Sequence, residues 1–161
     1  MKQLRLVPLG GGALALASRP RRNELWKLRE TGVTHLVTLL AEHEGARAIG
    51  EAAEAAGLDW FWVPFEGAGV PSATRGAELR RVFDELRDAL GAGGKLVVHC
   101  SAGIHRTGMF TYALLRSLPL DKETARAKLR ELRKLTAEGV GEDRMAWGDA
   151  LADEVAEPPG P

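Results

Sequence analysis

The sequence predicts an α/β domain with a central, mostly parallel five-stranded sheet flanked by helices. Short apolar, β-leaning runs alternate with longer helical patterns, as in domains whose parallel strands are connected by helices. The chain has 161 residues, 45% of them hydrophobic, which suits one domain with one continuous core. No internal repeat and no linker rich in Pro, Gly or Ser divides it.

Five segments have the length and composition of strands. In chain order they are QLRLV at 3–7, ALALA at 13–17, THLVTLL at 34–40, DWFWV at 59–63 and KLVVH at 95–99. The last of these follows the glycine-rich segment GAGG and is almost entirely apolar. A run of that kind is typical of a central strand that is buried on both faces.

Helical patterns connect and follow these strands. The segment at 41–58 has the alanines and charges of an outer helix, and a helix starting near Arg106 should end before Pro119 and be buried because it carries little charge. After a Ser72 cap, an apolar stripe with helical spacing ends at Gly91. The stripe consists of Leu79, Val82, Phe83, Leu86 and Leu90.

Two further helices are predicted near the end of the chain. Asp121 is expected to cap a charged amphipathic helix over 122–135, and a last helix is expected over 142–154. The inward-facing residues of these helices should be Ala125, Leu129, Leu132, Met145, Trp147 and Leu151. Residues 158–161 are expected to form a frayed tail, because the prolines there cannot continue a helix.

The charge balance argues against a nucleic-acid or membrane partner. Lys plus Arg and Asp plus Glu both number 22, so no net positive field attracts an anionic polymer or surface. No apolar run reaches the ~18 residues of a membrane span, and no cationic leader is visible. Trp26, Trp60 and Trp62 are interpreted as core and strand-face aromatics, not as base-stacking residues.

The cysteine content bears on compartment and metal binding. A single cysteine excludes an internal disulfide and a thiolate zinc cluster, and it fits a reducing compartment, so a cytoplasmic location is expected. His35 and His43 have no partners at metal-ligand spacing, so no metal site is expected. The sequence indicates no particular oligomeric state.

That single cysteine lies in HCSAGIHRTG, residues 99–108. A buried strand ends at His99, a tight loop follows, and a helix starts near Arg106. In such a loop the backbone N–H groups and the helix dipole form a concave anion site that fits a phosphate-sized dianion. The residues expected to supply these N–H groups are Ser101, Ala102, Gly103, Ile104, His105 and Arg106.

Cys100 lies at the base of this loop, where the same field favours thiolate over thiol and makes it a nucleophile at neutral pH. The planar guanidinium of Arg106 can bind two phosphoryl oxygens, a geometry that lysine does not reproduce. Gly103 permits the backbone angles of a tight ring. Thr107 follows the arginine, and its hydroxyl can donate to the cysteine sulfur.

These residues resemble the His-Cys-x-x-x-x-x-Arg-Thr-Gly signature of the cysteine-dependent protein tyrosine and dual-specificity phosphatases. The order of elements from about residue 12 to 135 is also similar to that of small dual-specificity phosphatases. The resemblance implies a cysteine phosphatase fold over a single domain at 1–157, with no cofactor or metal. It also implies hydrolysis of a phosphorylated protein or small phosphoester through a phosphocysteine, with His99 steadying Cys100.

One expected catalytic group is missing. The family normally carries a general acid in an Asp-x-Gly-x-Pro loop, and aligning that pattern on Gly69 and Pro71 puts Gly67 at the position of the aspartate. Glu66, the adjacent residue, is the first candidate for the acid because its longer side chain can reach into the site. The weaker alternatives are Asp59, Asp84 and His105.

The missing acid leaves several functions open. Phosphotyrosine is the favoured substrate, because a phenolic leaving group tolerates a poor acid better than an alkoxide does. The alternatives are a phosphoanhydride hydrolase similar to RNA 5′-triphosphatases, a non-catalytic phosphate-binding module, and a thiol redox or sulfur-transfer protein. Glu42 and Glu44 follow a strand end, where loop groups of α/β domains meet ligands, and are candidates for a supporting role. The segment SRPRR at 18–22 is interpreted as a solvated turn.

Overall fold

The computed structural model of the protein describes residues 4–156. Within this range five strands form one sheet in the order β1-β2-β5-β3-β4. Strand β1 is antiparallel to β2, whereas β2, β5, β3 and β4 are parallel to their neighbours. The predicted fold class, with the last strand at the centre, is confirmed. The strands are β1 (Val7–Leu9), β2 (Gly12–Ala17), β3 (His35–Thr38), β4 (Asp59–Trp62) and β5 (Lys95–His99).

The first strand is the one whose predicted position is wrong. Residues 4–6 are not in a strand, and β1 starts at Val7 and continues to Leu9. Gly10 and Gly11 have φ angles of 58° and 96°, and Leu9 pairs with Gly12 across them. A two-residue turn with both φ angles positive joins the strands of a hairpin, and β1 is the three residues directly before this turn.

In the described part of the chain there are seven α-helices. Asp121 accepts a hydrogen bond of 2.7 Å from the Thr124 N–H at the start of α5, which confirms that predicted cap. Ser72 accepts one from the Thr74 N–H, but it caps the short 3-10 turn Ala73–Arg75 that precedes α3, so it is not the cap of α3 itself. The helices are α1 (Leu25–Glu30), α2 (Ala46–Ala55), α3 (Gly76–Gly91), α4 (His105–Ser117), α5 (Lys122–Leu132), α6 (Lys134–Gly139) and α7 (Glu142–Ala156).

The predicted continuous helix over 122–135 is interrupted. Arg133 has an extended conformation, with φ −164° and ψ 109°, so α5 ends at Leu132 and α6 begins at Lys134. The Arg133 side chain donates to carbonyl groups of the cysteine loop. This tertiary contact accompanies the break, and the helical periodicity of the segment does not predict it.

The sheet separates two apolar layers. Along β5, Leu96 and Val98 face the core formed with α3, α4, α5 and α7, whereas Val97 faces the core formed with α1 and α2. Alternate side chains of a strand point to opposite faces, so β5 is buried on both sides. Helix α4 is buried from Arg106 to Leu115, as its low charge predicted.

The surface features differ in part from expectation. Trp26 is 49% exposed on α1, so its predicted place in the core is wrong. Trp60 and Trp62 lie on the edge strand β4 and stack with ring centroids 5.6 Å apart.

None of the described helices is long and apolar enough to cross a membrane. The predicted tail at 158–161 and residue 157 lie outside the described residues.

Candidate active site

The site lies at the edge of the sheet where the parallel strands end. His99 pairs with Ala17 of β2 and with Thr38 of β3, so the loops that follow these three strands meet at one place. Cys100 comes directly after β5 and is only 3% exposed. Loops at the carboxyl ends of parallel strands form the usual ligand sites of α/β domains.

The first two carbonyl groups of the cysteine loop accept hydrogen bonds from outside it. The imidazole of His99 donates from Nδ1 to the Cys100 carbonyl oxygen at 3.0 Å. The backbone N–H of Arg19, in the segment after β2, donates to the Ser101 carbonyl oxygen at 2.8 Å. Both peptide groups are therefore held in one orientation.

The next two carbonyl groups are held by the α5–α6 junction. Arg133 Nη1 donates to the carbonyl oxygens of Ala102 and Gly103 at 3.2 and 2.9 Å. The Thr136 hydroxyl also donates to the Gly103 carbonyl. Neither Arg133 nor Thr136 was identified from the sequence, because no local motif connects them to a loop thirty residues earlier.

These contacts determine where the amide groups of the loop point. Every described peptide bond is trans, and in a trans peptide the N–H and C=O are directed oppositely. The N–H groups of residues 101–104 are therefore directed away from the groups that hold the preceding carbonyls. A ring of inward amides of this kind can bind an anion.

Gly103 is required by the geometry of this loop. Its φ angle is +73°, and a Cβ atom there would meet the backbone carbonyl of Ala17. L-residues with a side chain rarely adopt such a conformation. The predicted role of Gly103 in the turn is consistent with both observations.

Thr107, in the first turn of α4, is the polar neighbour of the cysteine sulfur. Its Oγ1 donates a hydrogen bond to Cys100 Sγ at 3.0 Å, and both side chains are buried. A donor directed at sulfur stabilises the charged form of that atom. The sequence predicted this contact from the position of Thr107 directly after the arginine.

Arg106 is held by a carboxylate from the neighbouring strand end. Its Nη1 and Nη2 donate to the two carboxylate oxygens of Glu44 at 2.6 and 2.9 Å, and Nη1 also donates to the Phe65 carbonyl at 3.1 Å. This pairing lowers the pKa of Glu44 to about 2 and raises the pKa of Arg106. The guanidinium is thus charged and already oriented, as bidentate recognition of a phosphoryl group needs.

The two glutamates after β3 have different positions. Glu44 contacts Arg106, which places it in the site, whereas Glu42 pairs with Arg47 at 2.7 Å on the surface. The sequence indicated both equally, since both follow the strand end. Only the tertiary structure distinguishes them.

His99 is fully buried, and burial lowers its pKa to about 4. Its Nε2 lies 2.8 Å from the hydroxyl oxygen of Thr38. That oxygen accepts a hydrogen bond of 2.8 Å from Trp60 Nε1. The imidazole is therefore neutral at pH 7. Thr38 and Trp60 were not predicted to take part in the site, although Thr38 occupies the register position beside His99 on β3.

The loop expected to carry the acid passes beside Arg106. The Phe65 carbonyl contacts Arg106, and the next residue, Glu66, has a side chain that is 85% exposed. A Glu66 carboxylate oxygen lies 3.7 Å from His43 Nδ1. No hydrogen bond or ion pair joins Glu66 to Cys100 among the residues that the structure describes. A Cβ at Gly67 would have nothing within 4 Å, so that position is open.

The other acid candidates are placed differently. Asp59 begins β4, at the opposite edge of the sheet, where a carboxylate oxygen lies 3.5 Å from His35 Nε2. Asp84 pairs with Arg87 on the exposed face of α3. His105 is exposed at the first position of α4, which directly follows the cysteine loop. Asp59 and Asp84 are therefore outside the site.

A family model described as "Polymorphic toxin system, DSP-PTPase phosphatase" matches residues 11–117. The chain belongs to this phosphatase family. Dual specificity protein phosphatase 26 from Homo sapiens and its counterpart from Rattus norvegicus are each 30% identical over 103 residues, or 63% of this chain and 47% of the relative. The chain thus spans about half the length of the curated relatives it matches.

Solved structures show the same fold. Kinase associated phosphatase, with serine in place of its catalytic-site cysteine, has a TM-score of 0.77 at 17% identity, covering 98% of this chain and 97% of that one. Tk-PTP in its active form has a TM-score of 0.73 at 21% identity, covering 91% and 95%. The chain therefore has the cysteine phosphatase fold that the sequence resemblance implied.

Proposed function

We propose that this protein hydrolyses phosphomonoesters of proteins, phosphotyrosine foremost, through a phosphocysteine at Cys100. The observation that carries the proposal is the 3.0 Å hydrogen bond from Thr107 to Cys100 Sγ, at the base of a loop whose carbonyls are held from outside. Amides, a hydroxyl donor and the Arg106 guanidinium then converge on one sulfur. This set of groups suits a thiolate nucleophile and a dianionic substrate.

In the first step, the N–H groups of residues 101–106 and Arg106 bind the three non-bridging oxygens of the phosphoryl group. The Cys100 thiolate attacks phosphorus, so that an S–P bond forms and the ester P–O bond breaks. The leaving oxygen takes a proton from the carboxyl group of Glu66, which becomes a carboxylate. Substrate binding by these residues and the role of Glu66 are parts of the proposal.

In the second step, the Glu66 carboxylate accepts a proton from water as that water attacks phosphorus. The S–P bond breaks and inorganic phosphate leaves. The Thr107 hydroxyl stabilises the departing thiolate because it already donates to Sγ. His99 has no proton-transfer role in this scheme, since its neutral ring is occupied by Thr38 and the Cys100 carbonyl.

Glu66 is proposed as the acid because its loop contacts Arg106 through the preceding carbonyl and the space at Gly67 is open. A change of side-chain rotamer turns an exposed glutamate, now near His43, toward the reacting oxygen. Glu66→Gln should slow an aryl phosphate with a poor leaving group more than one with a good leaving group. It should also remove the high-pH limb of the rate profile. An unchanged profile removes Glu66 from the mechanism.

A phosphoanhydride substrate is the second candidate, favoured by Gly67 at the position that holds the aspartate in the Asp-x-Gly-x-Pro pattern of the family that the sequence resembles. An anhydride leaves as an acidic group and needs less proton transfer. Comparison of a triphosphate with an aryl phosphate at equal concentration distinguishes the two. Preference for the triphosphate, insensitive to Glu66→Gln, would replace the phosphomonoester proposal.

The experiment for the function itself is aryl phosphate turnover by the wild type and by Cys100→Ser. Turnover that disappears in the variant supports the proposal. Vanadate binding without turnover in the wild type supports a non-catalytic phosphate-binding module instead. Activity on sulfur donors with none on aryl phosphates supports a sulfur-transfer protein.

We further propose that residues 1–157 act as one catalytic domain in a reducing compartment such as the cytoplasm. Cys100 is the sole cysteine, and the mechanism needs it as a free thiolate. Thermal unfolding of the purified chain in a single transition supports the one-domain proposal.

A further inference from the structure

A chain of hydrogen bonds crosses three strands and ends at the catalytic loop. Trp60 Nε1 donates to Thr38 Oγ1 at 2.8 Å, Thr38 Oγ1 lies 2.8 Å from His99 Nε2, and His99 Nδ1 lies 3.0 Å from the Cys100 carbonyl oxygen. Thr38 and His99 are both 0% exposed. The chain thus connects the edge strand β4 to the nucleophile through β3 and β5.

We propose that Thr38 and Trp60 are positioning residues: they fix His99 in the tautomer whose Nδ1–H holds the Cys100 carbonyl, and thereby orient the first amide of the phosphate-binding loop. The effect on turnover rests on the proposed phosphatase function. The effect on the sulfur itself does not, because it follows from the geometry of the loop.

The direction of each hydrogen bond follows from the chemistry of the groups. An indole N–H only donates, and a carbonyl oxygen only accepts. His99 must therefore carry its hydrogen on Nδ1, and the Thr38 hydroxyl, which accepts from Trp60, must give its own hydrogen to His99 Nε2. One arrangement of protons satisfies all four groups.

The charges around His99 maintain the neutral ring. Arg19 and Arg106 both disfavour its protonation, and burial, the largest cause, lowers the pKa of His99 to about 4. Cys100, which follows His99 in the chain, is also titratable and is the proposed nucleophile. With the ring neutral, only the choice of tautomer remains, and the Thr38 hydroxyl makes that choice.

A change in the tautomer of His99 would affect the Cys100 sulfur through one peptide group. In the other neutral tautomer the Nδ1 lone pair faces the Cys100 carbonyl oxygen, and two acceptors at 3.0 Å repel each other. The Cys100–Ser101 peptide then rotates. The Ser101 N–H turns away from the concave side of the loop, and the thiolate loses one stabilising dipole.

Trp60 is itself fixed at the other end of the chain. A Cβ at Gly50 of α2 would overlap the Trp60 ring, so this glycine allows the indole to lie flat on the helix. The Trp60 ring also stacks on Trp62, and Trp62→Phe keeps an aromatic ring there. Trp62 donates its own N–H to the Leu40 carbonyl at 2.8 Å and takes no part in the chain to His99.

The test compares Thr38→Val, Thr38→Ser and Trp60→Phe, with Trp62→Phe as the matched control. The first readout is the pH dependence of Cys100 alkylation by iodoacetamide, which needs no turnover. The second is kcat and KM for an aryl phosphate. Circular dichroism and thermal unfolding confirm that each variant is folded.

Because the sulfur loses one stabilising dipole, we expect Thr38→Val to move the midpoint of the alkylation curve to higher pH. It should lower kcat/KM by ~10–100-fold, as loss of a residue that orients an active-site ligand commonly does. Thr38→Ser retains the hydroxyl and should behave as the wild type. Trp60→Phe should shift the midpoint in the same direction by less, and Trp62→Phe should not shift it.

An unshifted alkylation midpoint in a folded Thr38→Val protein overturns the proposal. So does a serine variant that matches valine, because the hydroxyl would then be irrelevant. If the midpoint shifts as expected while the wild type turns over no phosphate ester, the positioning role stands and the proposed function fails. If the wild type turns over the ester while the Thr38→Val midpoint does not shift, the proposed function stands and the positioning role fails.

Discussion

Two nitrogens of the Arg106 guanidinium are bound by the two carboxylate oxygens of Glu44, at 2.6 and 2.9 Å. The pair joins the first turn of α4 to the loop after β3. It fixes the plane of the guanidinium, so in the proposed mechanism little side-chain entropy is lost when a phosphoryl group binds to Arg106. We therefore expect Glu44 to act on the substrate through Arg106.

The first prediction concerns this pair. Glu44→Gln removes the charge that orients Arg106, and we expect kcat/KM for an aryl phosphate to fall by ~10–100-fold, in line with about 1.5–3 kcal/mol for a hydrogen bond between charged groups. Glu42→Gln, two residues away and paired with Arg47 at the surface, is the control and should match the wild type. Equal activity of the two variants would contradict a role for Glu44.

A second prediction uses the open position at Gly67. Gly67→Asp, made in the Glu66→Gln background, should restore turnover of an aryl phosphate that has a poor leaving group, because it returns an acid to the position it occupies in the family pattern. Nothing lies within 4 Å of a Cβ at Gly67 or at Gly69, so Gly69→Asp is a matched control. Restoration by both variants, or by neither, would argue against an acid at this position.

A third prediction concerns the loop backbone. Gly103→Ala should abolish turnover and lower thermal stability, because φ of +73° costs a residue with a side chain roughly 1–2 kcal/mol and the new Cβ meets the Ala17 carbonyl. Gly67→Ala adds the same methyl group where there is space, and should leave stability unchanged. A Gly103→Ala protein with wild-type stability would show that the loop backbone adapts.

A fourth prediction is the pH dependence of stability. The pKa of His99 is about 4 in the folded protein and 6.5 as the ordinary value, so between these pH values the unfolded chain binds a proton that the folded chain does not. The free energy of unfolding should therefore fall as the pH drops from 6.5 toward 4, by at most about 1.4 kcal/mol per pH unit from this group. Urea titrations at several pH values measure the slope.

His99→Asn is the comparison for that titration. The pH dependence of its free energy of unfolding should lack the contribution of His99. Glu44, whose pKa is lowered to about 2 beside Arg106, contributes below pH 4.5 in both proteins. Parallel slopes for the two proteins between pH 4 and 6.5 would contradict the neutral, buried state of the imidazole.

The sequence was most informative where chemistry is local. One contiguous segment predicted the strand, loop and helix around Cys100, with Gly103, Arg106 and Thr107. The spaced apolar runs predicted the parallel sheet. The break at Arg133 and the exposure of Trp26 were not foreseen, because helical periodicity does not report the tertiary contacts of a helix.

The supporting residues of the site were harder to predict for the same reason. Glu44, Thr38 and Trp60 come to the site only through the register of β3 and β4 beside β5. A strand end identified Glu44 and Glu42 equally, and nothing in the sequence distinguished Thr38. Arg133 and Thr136, the partners of the cysteine loop at the α5–α6 junction, depend on a helix break that has no sequence signal.

In the proposed mechanism Cys100 Sγ is the atom that accepts the phosphoryl group. Thr107→Val removes the hydroxyl that we propose aids departure of the sulfur, so phosphocysteine should accumulate when this variant is mixed with an aryl phosphate and quenched in acid. Mass spectrometry should then find one phosphoryl group on the peptide that contains Cys100. An unmodified Cys100 peptide from a variant that still releases phenol, together with turnover by Cys100→Ser, would contradict the account.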